Sequence, residues 1–444
     1  MALLRVRGWR LRLDVTRLRA NSLKYQHRVV GLLSSLAIIT YLDRVCIAVA
    51  GPRMQDSLHI SPQQWGWVTS LFFISYAAFE IPSGALGDRI GPRRVLTRIV
   101  TWWSAFTSLT GIVSSYPLLL LVRFCFGMGE AGAYPNAATV IGRWIPRLHR
   151  GRTWGIIWMT SQIGAAIAPL LVVPIQARYG WRASFYLFGI LGIVWSVVWY
   201  SWFRDSPREM RGITLAERQE IDDDPPLRHE GMPWRRALAM GALWRIAALG
   251  ASYVYVIAFF QSWLQTYLVK GRGFTEAALV LSTLPYIVGA CANGIGGVAS
   301  DMLVRKFGLT TGRRAVGMLG LGTAAIFMAA TLVASSGFWS LTFLSLAYAG
   351  ILFQQPSLCA VIVDTGGNHA GAYFGFMNTA ANVASALSSV VFGYLVAYSG
   401  SYDAPFLPML ALLCVGLVLW MKVDATHRLF DEQQPRGDAQ ENVS

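Results

Sequence analysis

Gly84-Ala85-Leu86-Gly87-Asp88-Arg89-Ile90-Gly91-Pro92-Arg93-Arg94 is a charged loop between two apolar runs, 65–86 and 95–114. Each run has the length of about 20 residues that a helix needs to cross a hydrocarbon core about 30 Å thick, at about 1.5 Å rise per residue. Backbone groups in lipid must find their partners internally, so such runs are helices. Gly84 lets two helices approach closely. Asp88 is placed to pair with basic groups and with helix N-termini at one membrane face.

The same pattern extends along the whole chain. Further apolar runs lie at 29–50, 117–140, 153–176 and 182–203, and after a polar gap at 243–268, 276–299, 314–335, 338–361, 371–397 and 404–422. Of the 444 residues, 54% are hydrophobic and 14% charged, against about 25% charged in a soluble domain. Mean hydropathy is +0.45. The expected fold is an all-α membrane protein of twelve transmembrane helices in two pseudo-symmetric six-helix bundles. The bundles are 29–203 and 243–423, joined by a solvated cytoplasmic linker, 204–242. A basic cytoplasmic segment, 1–28, and a cytoplasmic tail, 424–444, flank them.

Orientation follows from the positive charges. They fall in alternate connections: Arg17, Arg19, Lys24 and Arg28; Arg89, Arg93 and Arg94; Arg143, Arg147, Arg150 and Arg152; Arg204, Arg208, Arg211, Arg235 and Arg236; Arg305, Lys306, Arg313 and Arg314. The connections Ser114–Pro117 and Ser335–Trp339 carry none. Positive residues mark the cytoplasmic side, so both termini and the linker are expected there. The tenth connection, with Asp364 and His369, is the weakest member of the set. The net charge of +15 is spread over these loops and does not gather on one soluble face, which argues against a nucleic-acid partner.

Cys46, Cys125, Cys291, Cys359 and Cys414 lie within apolar runs without a CxxC pair, so neither a disulfide frame nor a metal site is expected. The histidines lie in loops or near the termini, which argues against a histidine proton relay within a span. No nucleophile–base set or phosphate loop suggests an enzyme, and no cofactor is expected. No short apolar stretch with a small-residue cleavage site precedes the first run, so a cleaved signal peptide is not expected.

An internal repeat supports the two halves. Gly84-Ala85-Leu86-Gly87-Asp88 follows the second run, and Gly297-Val298-Ala299-Ser300-Asp301 follows the eighth, with Gly and Asp at the same spacing. Duplicated halves are the common plan of secondary transporters.

The first run contains Tyr41-Leu42-Asp43-Arg44, and the fourth contains Arg123 through Gly127-Met128-Gly129-Glu130-Ala131. A charge at the bilayer centre costs about 2.5–3.5 kcal/mol on insertion scales. Four such groups in one half must be paired or must face a wet cavity. Arg123 and Glu130 are seven residues apart, about two helical turns, so they share a face with Gly127 and Tyr134. The bland reading is a buried ion pair that only staples helices. Arg44 offers a planar, permanently charged fork suited to a carboxylate. Asp43 and Glu130 are candidate proton carriers.

The second half carries no comparable charge. Its polar and aromatic residues include Tyr253, Tyr255, Gln261, Trp263, Gln354, Gln355, Ser357, Asn378 and Asn382. They suit a polyol or aromatic body, and equally suit helix–helix hydrogen bonds. Glu80 stands one turn before the loop motif, either as a further protonatable group or as a packing and gating residue.

The Gly84–Arg94 segment resembles the loop signature of the major facilitator superfamily, G-x-x-x-D-R-x-G-R-R, with Pro92 where Arg is common. Asp43-Arg44, the Arg123–Ala131 segment, Ile141-Gly142-Arg143-Trp144 and Tyr179-Gly180-Trp181-Arg182 resemble its anion:cation symporter family. That family includes hexuronate, galactonate, glucarate and phthalate permeases, sialin and the vesicular glutamate transporters. The resemblance implies proton-coupled symport of a small organic anion, such as a sugar acid, by alternating access. It implies Asp43 and Glu130 as proton sites and Arg44 and Arg123 as the substrate clamp. Tyr76, Gln162 and Asn378 would be sugar-acid contacts, with Tyr253, Trp263, Gln355 and Asn382 completing the wall. Gly84, Asp88, Arg89, Arg93 and Asp301 would form the gating motif.

Two departures separate neighbouring classes. The fifth run holds Gly155 and Gly164 but ends Ala168-Pro169-Leu170-Leu171, which argues against drug/proton antiport. The core of the seventh run lacks a basic group, which argues against organophosphate exchange. A facilitator or antiporter, an aromatic or dicarboxylic acid permease, and a non-transporting anion sensor remain as alternatives. The resemblance places the chain in a bacterial inner membrane, as a monomer.

Overall fold

The computed structural model describes residues 24–210, 212–222, 232–366 and 369–426. Arg17, Arg19 and the Asp223-Asp224-Pro225-Pro226 stretch lie outside the described residues, as does the tail beyond residue 426.

The described chain is helical throughout. The first half consists of α1 (Tyr25–Ser57), α2 (Pro62–Ile90), α3 (Pro92–Thr110), α4 (Tyr116–Glu130), α5 (Ala133–Trp144), α6 (Arg147–Tyr179) and α7 (Trp181–Trp202). A short helix, α8 (Leu215–Asp222), lies in the connection between the halves. The second half consists of α9 (Gly241–Ser262), α10 (Leu284–Phe307), α11 (Leu309–Leu332), α12 (Gly337–Gly366), α13 (Ala370–Ser399) and α14 (Phe406–Met421). Eight helical segments are long and apolar enough to cross a membrane: α1, α6, α7, α9, residues 277–307, α11, α12 and α13. α14 is more apolar still but only 16 residues long. α7 turns Ile190, Val194 and Val197 outward, each more than half exposed, which is the surface a lipid-facing helix presents. The protein is a multi-pass membrane protein.

One packing scheme occurs twice. In the first half α1 packs on α6, α2 on α4, and α3 on α7. In the second, α9 packs on α13, α10 on α12, and α11 on α14. Counting the α4–α5 pair as one segment, these are the same pairings by position. The halves meet along two seams, α2 against α13 and α6 against α10, which exchange under the same two-fold relation.

Local chemistry sets the turns. Ser61 and Gln64 form a reciprocal capping box at the start of α2, with Pro62 in the first helical position, where its missing N–H is no loss. α2 ends at Gly91, whose φ of 90° is open to glycine and strained for other residues. Asp205, just after α7, accepts a hydrogen bond at 2.8 Å from the Arg93 backbone N–H and so caps α3 from a distant part of the chain.

Two expectations need refinement. The fourth run is not one helix: it breaks at Ala131–Gly132, where Gly132 has φ 88° and the Ser83 side chain occupies the place a Cβ would take. Arg123 and Glu130 still share α4, but Tyr134 lies across the break on α5. The connection 204–242 is also more than a solvated tether. Glu217 of α8 is 4% exposed and accepts the Gln26 backbone N–H at 2.9 Å, while Lys24 pairs with Glu220 at 2.9 Å. α1, at 33 residues, is about 50 Å long and outruns the hydrocarbon core, so its free N–H end needs this clasp.

The seam is sealed at the end carrying Ser57 and Pro62. Arg53 pairs with Glu276 and Lys270 with Asp56 across the halves. Gln55 donates to Thr266 at 3.0 Å, and the Trp65 indole donates to the Ser262 carbonyl at 3.3 Å. At the opposite end a cleft of about 230 Å³ opens between the halves, lined by Glu80, Ile81, Gly84, Pro135, Thr139, Gly375 and Thr379.

Candidate functional site

Three helices of the first half build the charged centre. α1 supplies Asp43 and Arg44, α4 supplies Arg123 and Glu130, and α2 supplies the aromatic floor. Arg44 Nε donates to Glu130 Oε1 at 2.5 Å. The Arg44 guanidinium lies 4.9 Å from the Tyr76 ring centre, 5.1 Å from Phe72 and 5.5 Å from Tyr41. Arg123 lies 5.0 Å from the Phe72 ring centre and 4.7 Å from Phe126. Phe72 therefore stands against both cations, and each gains a cation–π contact that strengthens away from water.

The pairing is incomplete. Asp43 is 3% exposed, Arg123 4% and Glu130 1%. Yet both Asp43 carboxylate oxygens, Glu130 Oε2 and Arg123 Nε are buried without a hydrogen-bond partner. The Trp103 indole and Thr107 hydroxyl of α3 lie beside the Asp43 carboxylate. Buried polar atoms are normally satisfied, so this many open valences in one place set the cluster apart from an ordinary buried ion pair. A narrow cavity joins Arg44 and Arg123 to Thr69, Phe72, Phe73 and, from the second half, Gln261 and Ser262. A small anion there would meet two guanidinium groups on one side and amide and hydroxyl groups on the other. Glu130 sits at the end of α4, directly before the break at Ala131–Gly132. Interrupted helices beside midplane sites are common in transporters.

The other expected residues are distributed as follows. Tyr76 lies under Arg44. Gln162 Oε1 accepts from the Tyr348 hydroxyl across the halves at 3.2 Å. Tyr253 is buried beside Gln355, whose Oε1 accepts from Asn293 at 3.0 Å. Trp263 is fully buried, donates to the Ser389 carbonyl at 3.2 Å and stacks on Phe392. Asn382 Nδ2 donates to the Asn378 carbonyl at 3.0 Å. Asn378 Nδ2 donates to both oxygens of Glu80, at 2.8 and 3.0 Å. Gln354 accepts from Trp420, and Ser357 bridges Ser300 and the Arg313 carbonyl.

In the loop motif, a Cβ on Gly84 would come within 3.0 Å of Pro135. The Asp88 side chain lies outside the described residues, and Arg89 is exposed. The Arg93 guanidinium donates to the Tyr200 carbonyl at 2.6 and 3.0 Å. In the second half Asp301 pairs with Arg313 at 3.3 Å, and Arg313 also reaches Asp364 at 3.5 Å. Among the described residues no cluster of His, Cys, Asp and Glu could hold a metal ion.

Three features leave little or no local trace in the sequence. Phe72 could have been found from its four-residue spacing to Tyr76 and Glu80 along α2. The Asp205 cap and the Glu80–Asn378 bridge join positions far apart in sequence and leave no local signal.

The fold and the charged centre define a multi-pass membrane carrier built of two packed halves. The description of the Major Facilitator Superfamily matches residues 33–311, and the chain belongs to that family of transporters; it is not an enzyme. Among relatives, a probable sulfoacetate transporter of Cupriavidus necator is 34% identical over 400 residues, covering 89% of this chain and 93% of that one. The hexuronate transporter of Bacillus subtilis is 29% identical over 385 residues, covering 85% and 90%. A probable L-galactonate transporter of Escherichia coli is 26% identical over 426 residues, covering 94% and 91%. Among solved structures, a bacterial homologue of the human lysosomal transporter Spinster, in an inward-facing and occupied conformation, aligns with TM-score 0.73 at 18% identity. It covers 91% of this chain and 98% of that one. This likeness speaks for the fold alone.

Proposed function

We propose that the protein takes up a small organic anion together with protons by alternating access, through twelve spans with both termini in the cytoplasm of a bacterial cell. The observation that carries this reading is the half-satisfied charge cluster: Arg44 held by Glu130, beside Arg123 and Asp43 with open valences. Two carboxylates and two guanidinium groups balance when the site is empty. An entering anion competes with Asp43 and Glu130 for the arginines. Protonating those acids frees the arginines and keeps the loaded site near neutrality, which lowers the cost of moving it through a low-dielectric barrier. Release of the protons inside restores the Arg44–Glu130 pair and expels the anion. The sealed end would face the periplasm and the Glu80 cleft the cytoplasm. The monomer suffices, because both seams lie within one chain.

For the substrate, sugar acids such as hexuronates, aldonates or aldarates follow from the resemblance and from the hexuronate and galactonate relatives. A compact anion with two acidic heads is the second reading. It is favoured by two guanidinium groups flanking one ring, and by the sulfoacetate relative. Purified protein in liposomes, with an imposed inward proton gradient, tests both readings. Labelled glucuronate or sulfoacetate should accumulate above its equilibrium level, and an uncoupler should abolish this. Uptake that ignores the gradient would overturn the symport reading in favour of a facilitator; no uptake of any organic acid would favour a sensor.

A further inference from the structure

The charge balance of the centre leaves one acid over. Arg44 and Arg123 are matched by Asp43 and Glu130. Glu80, on α2 one turn beyond Tyr76, is a third carboxylate with no ion-paired cation among the described residues. Arg44 is the cation whose field reaches it, and Arg44 is already hydrogen-bonded to Glu130. Tyr76 is the titratable neighbour on its own helix. From α13 it meets only the Asn378 amide, and α5 brings Pro135 and Thr139 to the same cleft. The Asp88 side chain lies outside the described residues.

Glu80 also occupies a mechanically exposed place. Its bond to Asn378 crosses the α2–α13 seam, and the cleft begins directly at it. Closing this end would bring the Gly375–Thr379 side of α13 against the Ile81–Gly84 side of α2 and expel the water between them. A carboxylate left there with one neutral amide would lose its hydration with no cation to replace it, which costs several kcal/mol. Asparagine suits either form of the acid, because its N–H₂ donates to a carboxylate and its oxygen accepts from a carboxylic acid.

We propose that Glu80 is a proton-dependent gating carboxylate, which takes up a proton from the cytoplasm when the α2–α13 seam closes at the cleft end and returns it to the cytoplasm when the seam opens. This rests on the alternating-access reading above. It adds no net proton to those carried by Asp43 and Glu130, but makes closure of the inner gate itself dependent on pH.

The test reads gate closure without any transported anion. Thr379, half-buried at the cleft, is replaced by cysteine in a background lacking the five native cysteines, and its rate of reaction with N-ethylmaleimide is followed against pH after correction for reagent reactivity. In the parent, labelling should slow as pH falls, because protons favour the closed gate. E80Q keeps an oxygen to accept the Asn378 hydrogen bond, so a packing role predicts the parental profile. A proton-gating role predicts a profile shallower by one proton, a loss of up to about tenfold per pH unit in the closing equilibrium. An unchanged E80Q profile would overturn the proposal. Should E80Q fail to fold, Asn378→Leu gives the second arm. Loss of the amide should shift the closing transition to higher pH, and an unshifted transition would likewise overturn it. Failure of the underlying transport reading would appear elsewhere, as absence of gradient-driven uptake by the parent protein.

Discussion

Arg44 and Glu130 are hydrogen-bonded at 2.5 Å across α1 and α4, and the second oxygen of Glu130 is buried without a partner. A carboxylate held on one side only is poised to let go. Glu130→Gln should therefore abolish accumulation of labelled anion against a gradient while sparing exchange of internal for external anion. Uphill accumulation by this variant equal to the parent would remove Glu130 from the coupling scheme. Arg44→Lys keeps the charge and loses the fork. A hydrogen bond to a charged group contributes about 1.5–3 kcal/mol, so affinity should fall by roughly 10–100-fold, readable as a displaced half-saturation in uptake or thermal-shift titrations.

The two arginines should differ in what their removal does to stability. Arg44→Met would strand the Glu130 carboxylate, and breaking a buried pair on one side costs about 3–5 kcal/mol. Arg123 has ring contacts with Phe72 and Phe126 but, among the described residues, no hydrogen-bonded acid. Arg123→Met should thus lower the melting temperature in detergent far less than Arg44→Met, while still removing anion binding. Equal destabilisation would mean that Arg123 is as much a structural pair member as Arg44.

These contrasts show where the site was legible in the sequence. Charges inside apolar runs cannot be accidental, so Asp43, Arg44, Arg123 and Glu130 stand out by composition alone, and the structure brings them together. The helical character and the repeated halves were legible for the same reason, since lipid restricts the backbone to few solutions. Residues such as Gln162, Gln355 and Asn378 carried no such signal. An amide in a span is equally at home bonding a neighbouring helix, and these three do so, to Tyr348, Asn293 and Glu80. The break at Ala131–Gly132 was hidden because the run stays apolar through it. Only the Ser83 side chain on α2 explains why glycine stands there.

The sealed end is held by two kinds of contact, and magnitudes separate them. The Arg53–Glu276 and Lys270–Asp56 pairs are partly exposed, and such pairs contribute about 0.2–1 kcal/mol each. In the same seam a Cβ on Gly66 would lie 2.7 Å from the Ser389 carbonyl oxygen, and one on Gly393 would strike the Pro62 backbone. Overpacking of this sort costs about 1–3 kcal/mol. Gly66→Ala and Gly393→Ala should therefore open this end more than Glu276→Gln does. Labelling of a cysteine introduced at Thr69, in the cavity behind the seal, should report it. A larger effect from Glu276→Gln would show that charge, and not close backbone approach, closes this end.

The linker clasp should respond to acid. Lys24, beside Glu220, holds the Glu220 carboxyl below its ordinary value of 4.5. A carboxyl whose value is lowered in the folded state binds fewer protons there than when released, so it stabilises the clasp above about pH 4.5 and ceases to as pH falls further. The pair is exposed, so salt should weaken it in the same direction. Glu217, bonded to the Gln26 amide from the same helix, keeps α8 in register while the pair is intact. Hydrogen exchange at the start of α1 should accordingly accelerate on going from neutral pH to below pH 4, after correction for intrinsic exchange, and Lys24→Met should show that acceleration already at neutral pH. Protection that is indifferent to both changes would place the hold on α1 elsewhere, in the stacking of Tyr25 on Trp202 at 6.0 Å.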